Sequence, residues 1–146
     1  MRLSELQHHA ELFRTLQAIN REIESLYDTR QAIQYDHQSG TGKRSGKGSS
    51  PTERAVFRIE EIREESHEIE QEYLSTLGDI DTWLQGITDH YFRAIIRARF
   101  LLCKDWKTIQ RECGNHSGST SGSCRQYLKR NAERYGLVLD DPKDRD

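Results

Sequence analysis

The chain has little of what interrupts helices or builds sheets. It contains two prolines in 146 residues and almost no stretch in which β-branched and polar residues alternate. Proline removes a backbone donor and alternation marks a strand, so their scarcity predicts an all-α fold. No apolar run approaches the roughly 20 residues of a membrane span, and the N-terminus carries no signal-peptide pattern. We therefore expect a cytoplasmic protein with no membrane partner.

Cysteine is also scarce. The three residues Cys103, Cys113 and Cys124 are an odd number, which argues against a disulfide framework and favours a reducing compartment. Together with His116 they could be collected into a zinc site, but their spacing lacks the close Cys-x-x-Cys pair that zinc sites usually have. Buried thiols explain these residues better. We expect no metal and no cofactor.

Groupings that carry enzymatic chemistry are absent from the sequence. His8 and His9 are adjacent on what is predicted to be an exposed helical turn, and no Ser/His/Asp or paired-carboxylate arrangement accompanies them. The stretch GTGKRSGKG at 40–48 has glycines and lysines but no preceding strand and no GK[ST] ending, so it is not a phosphate-binding loop. We therefore expect that the protein is not an enzyme.

The N-terminal half predicts two long helices. A capping box at Ser4–Gln7 would open the first helix, which should continue to about Tyr35. Its apolar residues recur in alternating steps of four and three, which is a heptad seam, at Leu12, Leu16, Ile19, Ile23, Leu26 and Ile33. An ordinary amphipathic helix on a globular core is the alternative interpretation.

The second long helix has a clear start. Ser50 is predicted as its N-cap, Pro51 occupies the first helical position and Glu53 closes the capping box. Residues 36–50 before it are rich in Gly, Ser and Lys and predict a flexible loop. We therefore expect residues 1–87 to form a long antiparallel hairpin that resembles a coiled coil. The acidic back face of the second helix is most simply solvated, and a docking face for a basic partner is the alternative.

The next segment, residues 88–136, predicts a small domain of three short helices. The first should span 89–103, with the stem of Arg99 and Leu102 on its apolar face. The second should span 105–113, with Asp105 as N-cap and Trp106 and Ile109 facing inward. After a Gly-containing turn, a third helix should begin near Ser119 or Ser121 and end at a Gly136 cap. Its predicted inward face consists of Cys124, Leu128, Ala132 and Tyr135. This pattern is typical of a helix-turn-helix DNA-binding domain, and residues 137–146 are predicted to be a charged tail.

Charge is strongly segregated along the chain. Residues 53–87 contain ten acidic and three basic side chains, whereas residues 88–135 contain ten basic and four acidic ones. A basic block of this kind is the electrostatic pattern expected of a nucleic-acid-binding surface. The alternative is that the positive charge is spread evenly around the domain.

Several stretches together resemble a known family. They are IIRARFLL at 95–102, DWKTIQREC at 105–113 and SCRQYLKRN at 123–131, preceded by a helical region and a Gly/Ser/Pro-rich break. The chain resembles phage-encoded transcription regulators of the RinA and ArpU type, whose C-terminal part is similar to region four of bacterial sigma factors. It differs in a longer turn after Gly114, which leaves the start of the recognition helix open.

The resemblance implies a set of DNA-contacting residues. Lys107 and Arg111 would lie on the helix that crosses the DNA backbone, and Trp106 would be a packing residue. The contacts near and along the recognition helix would come from Ser121, Ser123, Arg125, Gln126, Lys129 and Arg130. Arg125 and Arg130 are the best candidates for reading guanine, because a guanidinium can bond O6 and N7 together, and Gln126 could bond adenine in the same way.

The sequence therefore predicts a phage-type, sequence-specific regulator that binds double-stranded DNA in the major groove. The hairpin would mediate self-association, with a dimer favoured, or contact host RNA polymerase. One alternative is a small terminase subunit that recognises a packaging site. Another is a protein-binding inhibitor, such as an anti-CRISPR factor or a polymerase modulator, that acts through the acidic hairpin.

Overall fold

A computed structural model describes residues 1–39, 50–114 and 123–140, with only the backbone of residues 30 and 32–39. The described part contains five α-helices: α1 Leu3–Ser39, α2 Pro51–Gln85, α3 His90–Ile96, α4 Trp106–Cys113 and α5 Cys124–Asn131. A π-helix, Arg97–Leu101, continues α3, and a 3-10 turn, Glu133–Tyr135, follows α5. The all-α prediction is confirmed. None of the described helices is long and apolar enough to span a membrane.

The two long helices begin with different caps. At α2 the predicted capping box is confirmed: Ser50 Oγ accepts from the Glu53 amide at 3.2 Å, and the Glu53 carboxylate accepts from the Ser50 amide at 3.1 Å. The predicted box at Ser4–Gln7 is wrong. Helix α1 begins at Leu3, where the Glu5 carboxylate accepts from the Arg2 amide and the Asp140 carboxylate accepts from the Ser4 amide.

Helix α1 extends further along the chain than predicted. The helix continues through residues 36–39, which the sequence assigns to the loop, and residues 40–49 lie outside the described part of the chain. Continuation costs little because none of these four residues is a proline or a glycine.

The chain divides into two compact units. Unit 1 consists of residues 1–14 and 72–146, and unit 2 consists of residues 15–71. This division differs from the predicted boundary between residues 87 and 88. The reason is that the first turns of α1 and the last turns of α2 contribute to the core of the short helices, through buried side chains such as Leu6, Ile80 and Leu84.

The core of unit 1 also holds part of the predicted tail. Leu137 is buried, the Val138 amide donates to the Met1 carbonyl at 3.0 Å, and the Leu3 amide donates to the Val138 carbonyl at 2.8 Å. Residues 137–140 are therefore not a free tail, because they pair with the start of α1. Gly136 allows the chain to turn there, since its φ of +70° lies in the left-handed region, as the predicted cap requires.

Asp89 joins α3 to the C-terminal elements of unit 1. Its Oδ1 accepts from the amides of Tyr91 and Phe92 at 2.9 and 3.0 Å, which caps α3. Its Oδ2 accepts from the hydroxyls of Tyr127, on α5, and Tyr135, in the 3-10 turn, at 2.7 and 3.1 Å. Burial opposes the charged form, but these four hydrogen bonds outweigh it and hold the pKa of Asp89 below its usual range.

The α3 helix ends in a wider turn that changes which side chains face inward. The Leu102 amide donates to the Arg97 carbonyl, five residues back, at 2.9 Å, and Cys103 adopts a φ of +52°. Leu102 was predicted to lie on the apolar face, but it is 57% exposed. A π-helix needs more residues per turn than an α-helix, so a side chain placed by α-helical spacing is rotated off the predicted face.

His9 is buried, which corrects the expectation that it lies on an exposed turn. Its ring stacks on Tyr73 at 4.7 Å, and Nδ1 lies 2.7 Å from the hydroxyl of Thr76. Thr76 donates its own proton to the Tyr73 carbonyl, so Nδ1 must carry the proton of the His9–Thr76 bond. Nε2 then has no hydrogen-bond partner among the described residues. Burial lowers the pKa of His9, as does the neighbouring His8, while Asp81 opposes the shift.

Unit 2 pairs the remainder of α1 with the first half of α2. Arg63 donates to the Tyr27 hydroxyl at 3.0 Å, and Arg58 forms an ion pair with Glu22 at 3.6 Å. Ala55, Ile59 and Ile62 of α2 are buried. The predicted seam residues of α1 in this unit are only half-buried, namely Leu16, Ile19, Ile23 and Leu26.

We predict that Asp89→Ala lowers the free energy of unfolding by about 2 kcal/mol or more at pH 7, because it removes a helix cap and two hydroxyl bonds to a carboxylate. Since the pKa of Asp89 is lowered, its contribution is complete above the unfolded-state value of 3.8 and is lost as the pH falls further. Urea unfolding followed by circular dichroism measures both effects. Asp79→Ala, an exposed change on α2, is the control, and equal stability of the two variants would contradict this role.

We predict that unit 1 loses stability as the pH falls below 6.5, the ordinary pKa of histidine. The buried His9 stays neutral in the folded state while the unfolded chain takes up the proton, so stability rises with pH in this range. The urea midpoint measured at pH 5 and pH 7 should differ in the wild type, and the difference should shrink in His9→Leu. His8→Gln, a change at the half-exposed neighbour, should keep most of it. An unchanged difference in His9→Leu would refute the assignment.

Candidate nucleic-acid interface

A hydrogen bond joins the second half of α4 to the start of α5. Asp105 caps α4 by accepting from the Thr108 amide at 2.6 Å, as predicted, and Ile109 is fully buried. From the next position, Gln110 Oε1 accepts from the Cys124 amide at 2.7 Å, across the turn. Gln110 therefore satisfies one of the backbone donors that the start of α5 leaves free.

The start of α5 is set by a capping box. Ser123 has an extended backbone, its Oγ accepts from the Gln126 amide at 3.3 Å, and the Gln126 Oε1 accepts from the Ser123 amide at 3.2 Å. The helix therefore begins at Cys124, later than the predicted start near Ser119 or Ser121. Residues 115–122, which include Ser121 and His116, lie outside the described part of the chain.

The inward face of α5 agrees with the prediction. Cys124, Leu128 and Ala132 are buried, while Tyr135 is half-buried because the helix tightens into the 3-10 turn before it. The opposite face carries the predicted contact residues.

The predicted contact residues differ in exposure and in whether their side chains already form hydrogen bonds. Arg125 and Arg130 are exposed and form no hydrogen bond or ion pair with any described residue, and Lys129 is half-buried. In contrast, the hydrogen bonds of Ser123 and Gln126 are used in the capping box. To read a base through Gln126 Oε1 the protein would have to open this cap, so the two arginines are the better-suited readers.

Helix α4 adds two further cations to the interface. Lys107 and Arg111 are both exposed. Asp105 lies close enough for their charges to contribute, after its bonds from Thr108, to the lowered pKa of its carboxyl group. With α5, this gives five basic side chains and one acidic one, Glu112, over residues 106–131.

Two basic residues of unit 1 outside α4 and α5 form ion pairs. Lys104 pairs with Glu112 at 2.5 Å, and Arg97 lies 3.8 Å from Asp81. The acidic side chain of α4 therefore compensates a lysine outside the helix rather than the cations of the interface.

The sequence analysis did not identify one further basic residue beside α4, Arg99. It lies half-buried on the π-helix, donates to the Lys104 carbonyl at 2.9 Å, and its guanidinium lies 5.2 Å from the ring centroid of Trp106. Trp106 was predicted to face the core, but it is only half-buried. Its ring packs against the Arg99 guanidinium instead. The Arg-x-Arg pattern in the sequence signals positive charge, but the π-helix that directs Arg99 toward α4 has no sequence signal.

The three cysteines, all in unit 1, are free. Cys124 is buried, with the Tyr91 hydroxyl 3.3 Å from its sulfur, and burial raises the pKa of Cys103 and of Cys113. Among the described residues, no three His, Cys, Asp or Glu side chains come together as metal ligands would.

Comparison with known proteins returned no relative. No family model matches the chain, and neither a curated protein nor a solved structure is similar to it. Any functional conclusion therefore depends on the geometry of α4 and α5.

Proposed function

We propose that the protein is a sequence-specific regulator of transcription, of the phage type, that binds double-stranded DNA through α4 and α5. The observation that carries this proposal is the pair of exposed guanidinium groups, Arg125 and Arg130, on a helix whose other face is buried. Neither guanidinium has a partner among the residues that the structure describes. Such a helix can enter a major groove while its core contacts hold it in place.

The contacts divide by chemistry. Arg125 and Arg130 would read guanine edges or bind phosphate, Lys129 would bind phosphate, and Lys107 and Arg111 of α4 would bind the backbone beside the groove. Ser123 and Gln126 would act mainly by holding the start of α5, where the helix N-terminus itself favours a phosphate.

Unit 2 supports a second part of the proposal, self-association of the chain as a dimer. Two helices alone leave Leu16, Ile19, Ile23 and Leu26 half-buried, and Phe57 is 62% exposed. A second copy of the hairpin would cover these side chains in a four-helix bundle. Two recognition helices about 34 Å apart would then match two half-sites one DNA turn apart. Host RNA polymerase is the other partner that the acidic hairpin could bind.

We predict that one DNA fragment from the surrounding genome binds far more tightly than the rest. Fluorescence anisotropy with tiled duplexes at several salt concentrations measures this. Arg125→Gln and Arg130→Gln should each weaken the preferred duplex by about 5- to 150-fold, since a bidentate base contact contributes about 1–3 kcal/mol. Arg21→Gln, an exposed charge loss in unit 2, is the matched control and should change affinity little. Weak binding to all fragments, equal in all variants, would contradict the proposal.

We predict a dimer in sedimentation equilibrium, with Phe57→Ser shifting the mass toward the monomer because it removes an apolar side chain from the bundle. Leu74→Ser, an equally exposed apolar change in unit 1, should leave the mass unchanged. A ring of eight or more chains would instead favour the small terminase subunit. A monomer that binds a basic protein, with binding lost on Glu61→Lys and Glu64→Lys, would favour the protein-binding inhibitor.

A further inference from the structure

A cleft in unit 1 lies between the start of α1, the π-helix, α4 and α5. Its volume is about 150 Å³, and its polar lining comes from Gln7, Arg99, Trp106, Arg125 and Lys129. Apolar side chains, including Leu3 and Leu128, form the floor. No carboxylate among the described residues lines this cleft, although the chain as a whole carries more acidic than basic residues.

Arg99 and Arg125 bring two guanidinium groups to one cleft, where their charges repel each other unless an anion lies between them. Arg99 is also held in advance of binding, because the Lys104 carbonyl fixes one of its nitrogens and the Trp106 ring supports its plane. A guanidinium has five N–H donors, so this arrangement leaves donors for a ligand, and little conformational entropy remains to be lost. Arg125 contributes a second guanidinium that has no partner among the described residues.

The size and chemistry of the cleft restrict the ligand. A cleft of about 150 Å³ has room for a tetrahedral oxyanion. Two guanidinium groups and one ammonium suit the oxygens of a phosphate, which accept paired N–H donors.

We propose that this cleft binds a phosphate group, which the DNA backbone supplies when the protein occupies its site. That the DNA backbone supplies this phosphate rests on the function proposed above, whereas the phosphate site itself does not. The bound phosphate would connect α1 and the π-helix to the same strand that α5 contacts, through Gln7, Arg99 and Arg125. It would fix the angle at which α5 enters the groove, since backbone contacts set the register of a DNA-binding helix.

The first arm of the test uses inorganic phosphate, with chloride at equal ionic strength as the control. The chain has two tryptophans, so the indole N–H signal of Trp106 in a nitrogen–proton correlation spectrum reports on the cleft and that of Trp83 serves as internal reference. Phosphate should shift the Trp106 signal saturably in the wild type and in Arg21→Gln, an exposed charge loss in unit 2. The saturable shift should disappear in Arg99→Gln and Arg125→Gln.

The second arm uses the preferred duplex. Loss of one phosphate contact should reduce the slope of log affinity against log salt by about 0.9 in Arg99→Gln, with the ranking of fragments unchanged. Because Arg99 also contacts Lys104 and Trp106, Arg125→Gln, whose side chain has no partner among the described residues, gives the salt-slope test if Arg99→Gln does not fold. The ranking of fragments is compared in Arg99→Gln alone, since Arg125 is also a proposed base reader.

The two proposals fail in distinguishable ways. A saturable Trp106 response that depends on Arg99 and Arg125, without binding to any duplex, supports the phosphate site and contradicts the proposed regulator. Specific duplex binding with no saturable Trp106 response, and with an unchanged salt slope in both variants, supports the regulator and overturns the phosphate site.

Discussion

The carboxylate of Asp89 is the interaction on which unit 1 depends most. One oxygen caps α3, and the other accepts from the hydroxyls of Tyr127 and Tyr135. The bond from Tyr127, followed by burial, raises the pKa of that phenol to about 12, so the network stays intact across the neutral range. Together with the buried Cys124 and Leu128, the bond from Tyr127 to Asp89 holds α5 in one rotation about its axis. This rotation decides which side chains face solvent, so the direction of Arg125 and Arg130 depends in part on Asp89.

The fold was largely predictable from local patterns. Helix periodicity, the capping box at Ser50, the N-cap at Asp105 and the turn at Gly136 each depend on residues within a few positions of one another, and each is confirmed. Long-range choices were not predictable. Asp140 caps α1 across 136 positions, and the bonds from Tyr127 and Tyr135 to Asp89 also span tens of residues. The division into units follows from such contacts, which is why the boundary expected at residue 87 differs from the one observed.

The candidate interface likewise contains residues that local patterns predict and residues that they do not. Helical spacing identified Arg125 and Arg130, because the inward residues of α5 leave them no other side. Ser123 and Gln126 looked equivalent to them in the sequence, but the helix starts at Cys124 and uses both side chains as its cap. Arg99 was assigned to an apolar face by α-helical counting, and the π-helix brings it to Trp106 instead. Where one residue shifts a helix start or widens a turn, spacing alone assigns the wrong neighbours.

Taken together, a buried scaffold orients one face of α5, α4 adds Lys107 and Arg111 beside it, and the described part of the unit 2 hairpin leaves apolar side chains of α1 half-buried. The most direct measurement is a map of backbone amide shifts when the tightest-binding duplex is added to the full chain. Changes concentrated on α4 and α5, around Lys107, Arg111, Arg125 and Arg130, are the predicted result. Changes confined to the acidic face of α2, or no change at any duplex concentration, would contradict DNA binding through this face.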